Sequence, residues 1–117
     1  TALIEASAKG YKEVVELLLK EKANVNEKNN DGNTALIIAS ANGSKEVVEL
    51  LLKVKANVNE KNNGGNTALI AAARNGSKEV VELLLKANVN DKDGKTALQI
   101  AVDNNNLEIA ELFILYC

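Results

Sequence analysis

A chain of 117 residues with 46% apolar side chains has the length of one domain and enough nonpolar material to pack a core. Its 14 basic and 16 acidic residues are mixed along the sequence and leave a net charge of −2, which excludes the strong positive field that nucleic-acid and membrane binders rely on. The single cysteine, Cys117, excludes an intrachain disulfide, and the lack of histidine removes the usual general base and any cysteine-histidine metal cluster.

Thr-Ala-Leu recurs at Thr1, Thr34, Thr67 and Thr96, in steps of 33, 33 and 29 residues, and a closely similar sequence follows each occurrence. A period near 33 residues marks a supersecondary block that cannot bury its apolar face alone, so stability belongs to the stack. The repeat divides a single repeat domain, 1–117, into units 1–33, 34–66, 67–95 and 96–117. The chain enters the pattern at Thr1, at a first helix and without a methionine, so it is expected to be a piece of a longer array.

The first unit carries Gly10 between two apolar-periodic stretches, and the second unit states the same pattern most completely. Leu36, Ala39 and Gly43 lie at i, i+3 and i+7, predicting a short first helix whose small Ala39 and Ser40 admit a neighbour at close range. Asn42-Gly43 ends it, because glycine reaches positive φ without steric cost. Ser44 is the expected N-cap of a second helix, with Glu46 in its first turn. Val47, Leu50, Leu51 and Val54 form the expected buried stripe, widened by Val48 and Leu52. Lys45, Glu49 and Lys53 face solvent, Glu49 and Lys53 as an i, i+4 pair. The run from Ala56 to Asn66 is poor in apolar residues and rich in turn formers, which predicts an extended finger with a tight turn at its tip. Thr34, Thr67 and Thr96 each follow a finger and open a helix, so their hydroxyls are expected N-caps.

The third unit repeats this grammar but loses two residues between Lys86 and Ala87 and two between Asn90 and Asp91. Either its finger is short or residues are missing from the sequence. The fourth unit places Leu107 where the third has Lys78 and Leu115 where it has Lys86, with Phe113 and Tyr116 adding aromatic area. The end of a solenoid is ordinarily polar. These residues either pack within a divergent last repeat or are covered by another repeat, a further domain or a second copy of the chain, the last giving end-to-end self-association through the apolar C-terminal face.

These residues resemble the ankyrin repeat, whose pattern runs approximately D-x-x-G-x-T-P-L-H-x-A-A-x-x-G-x-x-x-V-V-x-L-L-L-x-x-G-A-D-V-N. The resemblance covers the whole chain. It rests on the four Thr-Ala-Leu steps, on Gly10, Gly43 and Gly76, and on Val-Val-Glu-Leu-Leu-Leu from Val14, Val47 and Val80. Ala-Asn-Val-Asn from Ala23, Ala56 and Ala87 and Asp91-Lys92-Asp93-Gly94-Lys95-Thr96 complete it. It implies an all-α repeat solenoid, an ankyrin-like stack of helix-turn-helix units joined by β-turn fingers. Three departures stand out. The family proline is Ala2, Ala35, Ala68 and Ala97. The family histidine is Ile4, Ile37, Ile70 and Gln99, the isoleucines being expected to pack apolarly. The glycine after the second helix is Lys22 and Lys55, which must take a left-handed conformation at about 1 to 2 kcal/mol or cap the helix differently.

The resemblance also implies a non-catalytic protein-binding scaffold that holds an unidentified protein partner on its finger tips and on the exposed side of each first helix. Carried over, the tips are Lys28, Asn30, Asp31 and Asn33, then Lys61, Asn63, Gly64 and Asn66, then Lys92, Asp93 and Lys95. The helix positions are Ala8 and Lys9, Ala41 and Asn42, Arg74 and Asn75, Asp103 and Asn104. The alternative is a structural segment of a longer array or multidomain protein whose activity lies elsewhere. No catalytic residue, metal or cofactor is expected: no glycine-rich phosphate loop follows a strand, and Lys92 and Lys95 make a solvated turn of Asp91 and Asp93. Nucleic acid and membrane are not expected partners, since the longest apolar stretch, 112–117, is far short of the roughly 20 residues that span a bilayer. The absence of a signal peptide, a spanning segment and disulfides favours the cytoplasm.

Overall fold

The computed structural model describes residues 1–87 and 91–116; residues 88–90, on which part of the expected third finger falls, and Cys117 lie outside the described residues. An inner row of helices, α1 (Ala2–Lys9), α3 (Ala35–Ala41), α5 (Ala68–Asn75) and α7 (Asp91–Asp103), alternates along the chain with an outer row. The outer row is α2 (Lys12–Lys20), α4 (Lys45–Lys53), α6 (Lys78–Leu85) and α8 (Leu107–Tyr116). Inner helices pack on inner helices and outer on outer, giving the all-α repeat solenoid, with extents of 39 × 24 × 22 Å.

Side-chain size explains the closeness of the inner row. Ala35, Ala39, Ala68, Ala72, Ala73, Ala97 and Ala101 are all buried there, so neighbouring helix backbones approach with little between them. Between the two rows Leu36, Leu51, Leu69, Leu84 and Ile109 are fully buried, each stabilising the fold by about 1.5 to 3 kcal/mol relative to exposure. Ile4, Ile37 and Ile70 are buried as well, so the apolar packing expected of them is present.

The threonine hydroxyls of Thr1, Thr34 and Thr67 accept from the amides of Ile4, Ile37 and Ile70 at 3.3, 3.2 and 3.3 Å, capping α1, α3 and α5. Thr96 is not a cap. It lies inside α7, which starts at Asp91, and its hydroxyl donates back to the carbonyl of Lys92 at 3.2 Å. Carboxylates at 91 and 93 suit the positive end of a helix, and the shortened connection leaves no length for a full finger before it. Ser44 and Ser77 sit at the starts of α4 and α6 but make no side-chain cap. Their ψ angles are 80° and 87°, against 168° and 173° at Thr34 and Thr67, which turns the hydroxyl away from the first helical amides. In the fourth unit Asn106 does cap α8, its Oδ1 accepting from the Ile109 amide at 3.2 Å.

The interhelix turns depend on left-handed residues, with φ of 71°, 69° and 75° at Gly10, Gly43 and Gly76; Asn105, at φ 55°, fills this role in the last unit. Lys22 and Lys55 adopt φ of 65° and 63°, so the first of the two expected solutions is the one taken. Lys55→Gly is therefore expected to raise the unfolding free energy by about 1 kcal/mol in urea denaturation; an unchanged or lower midpoint would show that the lysine is unstrained. Three other expectations are corrected. Val54 is exposed because it lies past the end of α4, Glu49 and Lys53 form no ion pair on their solvated face, and Phe113 is buried in the core and adds nothing to the outer face.

Candidate functional site

Asparagine builds the finger tips. The Gly32 amide donates to the Asn29 carbonyl at 2.9 Å, and the Asn29 amide to the Asn33 carbonyl at 3.0 Å, closing a tight turn. The side chain of Asn29 accepts from the amides of Asp31 and Asn33, both at 3.0 Å. One repeat later Asn62 does the same for Gly64 and Asn66, again at 3.0 Å. A short amide side chain bonding its own backbone two residues on is the mechanism that makes asparagine a turn former.

The same residue type links one finger to the next. Asn62 Nδ2 donates to Asn33 Oδ1 at 2.8 Å, and the backbone and side-chain nitrogens of Asn63 donate to the carbonyls of Asp31 and Asn30, both at 3.0 Å. The Asn57 amide donates to Asn26 Oδ1 at 2.8 Å. Lys28 Nζ lies 2.9 Å from the Glu60 carboxylate and donates to the Lys61 carbonyl at 3.0 Å. Of the tip residues selected from the sequence, Lys28, Asn33 and Asn63 thus hold neighbouring fingers in register, while the exposed side chain of Asp31 projects from the row.

Behind the fingers, the inner helices of the second and third units bound a groove of about 380 Å³. Its floor is Ile38, Ala41 and Ala71, and its wall is Asn33, Asn62 and Asn66. Arg74 closes one side, its Nη1 donating to Asn66 Oδ1 at 3.3 Å. No carboxylate pairs with Arg74 among the described residues, so its guanidinium keeps donors for an incoming group. Asn75 lines the groove and donates to the Ser77 hydroxyl, and Asn42 donates to the Ala8 carbonyl at 2.8 Å, tying α3 to the preceding unit. Asn62, Ile38 and Ala71 were not selected from the sequence; the recurrence of asparagine at 29 and 62 is the signal that points to the first of them.

The fourth unit departs from the expected site. Lys92, Asp93 and Lys95 are not a finger tip: they occupy the first turns of α7. Asp93 is buried, with its carboxylate 3.7 Å from Lys61 Nζ, so this pair bridges two units and is withdrawn from the open surface. The side chain of Asp91 lies outside the described residues. Lys92 and Lys95 remain exposed, as do Asp103, which accepts from Gln99 at 2.8 Å, and Asn104 after the end of α7.

At the far end of the stack Leu107, Ile114 and Leu115 are exposed, whereas Phe113 is buried and Tyr116 is tied to the third unit, its hydroxyl donating to Glu82 at 3.0 Å and its ring centre lying 5.7 Å from Lys86 Nζ. Among the described residues no three of the histidine, cysteine, aspartate and glutamate side chains converge on a metal-sized site, and no helix is long and apolar enough to cross a membrane.

No curated protein matches the chain. A family model for ankyrin repeats (3 copies) matches residues 1–62 and 54–117. Ankyrin repeats are in general protein–protein interaction modules and typically non-catalytic. Paired helices stacked in two rows, turn-tipped fingers beside the inner row and a family match along the sequence agree: the chain belongs to the ankyrin-repeat family.

Proposed function

We propose that the chain is a non-catalytic scaffold that engages a protein partner through the finger row and the inner-helix groove. The observation that carries this reading is the groove beside Arg74: a cation with free donors, set over an apolar floor and walled by amides. Arg, with its rigid fork of donors, suits a carboxylate or a backbone carbonyl of a bound segment. Asp31, Lys92, Lys95, Asp103 and Asn104 extend the surface to either side. With a net charge of −2, nucleic acid and anionic bilayers are not the partners proposed.

The test uses peptides selected from a display library on the immobilised chain. Arg74→Glu is expected to weaken the selected peptides by about tenfold or more, while Glu49→Lys on the opposite, outer row leaves them unchanged. Peptides insensitive to Arg74→Glu, Asp31→Lys and Lys92→Glu alike would exclude this face.

A second reading, that the chain is a structural segment of a larger assembly, is favoured by the outer face of α8. Leu107, Ile114 and Leu115 are exposed there, Leu107 and Leu115 standing where the third unit has lysines, and apolar surface of this kind is ordinarily covered. End-to-end association through the C-terminal face is the form of this reading that the isolated chain can realise.

A further inference from the structure

We infer that the inner-helix groove reads an acidic side chain: an extended partner segment runs along the stack with an aspartate or glutamate carboxylate on Arg74 and backbone carbonyls on the side-chain amides of Asn33 and Asn66. The inference rests on the protein-binding reading and adds the chemistry of what is bound.

The direction of the hydrogen bonds carries the argument. Asn33 Oδ1 is taken by Asn62 Nδ2 at 2.8 Å, and Asn66 Oδ1 by Arg74 Nη1 at 3.3 Å. Both amides spend an acceptor on the protein itself and keep their NH2 groups as donors on the groove wall, where both residues are half-buried. Asn62 has no acceptor to spare, its Oδ1 being held by the amides of Gly64 and Asn66 at 3.0 Å. Arg74 gives one N–H to Asn66 and keeps the others. Asn75 is the exception, giving its Nδ2 to the Ser77 hydroxyl. No aspartate or glutamate is among the described residues that line this groove. It therefore offers donors and an uncompensated positive charge, and its complement is a chain of acceptors with one negative charge.

Two grooves on the outer row lack this bias. In one, Glu13 and Glu16 share the lining with Lys20 and Lys53; in the other, Glu46 and Glu49 share it with Lys12 and Lys53. Along the inner face, Arg74 stands where the first two units have Ala8 and Ala41 and the fourth has Asp103. Asp103 on one side and Asp31 at the second finger tip on the other are both exposed and repel a carboxylate, which fixes the acidic residue over the third unit. Asn33 and Asn66 are equivalent residues one unit apart. Stacked helices lie about 8 to 10 Å apart, roughly three residues of extended chain, so carbonyls at that spacing meet both amides. Exposed Asn104 continues the face beyond Arg74, so the segment runs on and the carboxylate belongs to a side chain.

The peptides selected on the immobilised chain, resynthesised and titrated by fluorescence anisotropy, test this. They are expected to carry aspartate or glutamate at one fixed position, whose replacement by the neutral amide weakens binding to the native chain about tenfold and binding to Arg74→Gln by about twofold at most. Asn66→Asp, which hands Arg74 an internal carboxylate, is expected to abolish the preference for the acidic peptide. Peptides that need Arg74 but bind equally well as acid or amide overturn the carboxylate and leave the protein-binding face standing. Phosphoserine binding more than about tenfold tighter than glutamate at that position makes the ligand a phosphopeptide, and loss of binding on amidating the C-terminus alone makes it a chain end; either overturns the acidic side chain. Peptides insensitive to every variant of this face overturn the groove and with it both readings, as does a library that yields no binder.

Discussion

Leu69→Ala is expected to lower the unfolding free energy by about 3 to 4 kcal/mol, because the side chain is wholly buried and α5 packs against α3, α6 and α7 at once. In a stack where each unit contacts only its neighbours, stability is close to a sum of unit and interface terms. A cavity in the third unit therefore weakens the contacts on both of its sides and lowers the cooperativity between the two ends. Urea denaturation should show a lower midpoint and a broader transition, with intrinsic fluorescence from Tyr11 in the first unit and Tyr116 in the last no longer changing together. A cost below about 1 kcal/mol would mean that the site collapses around the smaller residue.

The second large effect lies in the fingers and separates two causes that usually travel together. Gly32 and Gly65 occupy equivalent turn positions with φ of 77° and 78°, so an alanine suffers the same left-handed penalty at either, about 1 to 2 kcal/mol. A Cβ at Gly65 meets nothing within 4 Å, whereas one at Gly32 falls 2.5 Å from Asn63 Oδ1 and 2.8 Å from the Asn63 backbone nitrogen. Backbone cannot step aside as a side-chain end can. Gly32→Ala should cost about 1 to 3 kcal/mol more than Gly65→Ala by chemical denaturation, the excess measuring how firmly the two fingers are held together. Equal losses would show that the fingers part easily.

Local features of the sequence were read reliably because their causes are local. Helix periodicity and the interhelix glycines follow from the conformational needs of a few adjacent residues, whereas the sequence left two solutions open at Lys22 and Lys55, of which the left-handed one is taken. Thr96 failed because a helix start also depends on the length of chain leading into it, and the four residues missing from the third unit changed that length. Ser44 failed because residue type favours a cap only when ψ permits one. Among candidate site residues, Asn66 as a finger tip and Arg74 and Asn75 as inner-helix positions came from the resemblance to the ankyrin repeat, and all three line the groove. The roles of Lys28, Asn33 and Asn63 were not visible, since contacts between residues 29 to 33 positions apart are fixed by the stacking distance, on which side-chain identity is silent. Asp93 was hidden for the same reason: its partner Lys61 belongs to another unit.

The asparagine links between fingers have a further consequence for how such a surface can change. An amide neither titrates nor carries charge, so the spacing of the first two tips stays constant across pH and ionic strength, apart from the exposed Lys28–Glu60 pair. Tip residues such as Asp31, and Gly64 at the equivalent place, lend only their backbone to this framework. Their side chains are therefore free to be exchanged for others of any charge, and selection can rewrite what the row recognises while the row itself keeps its pitch.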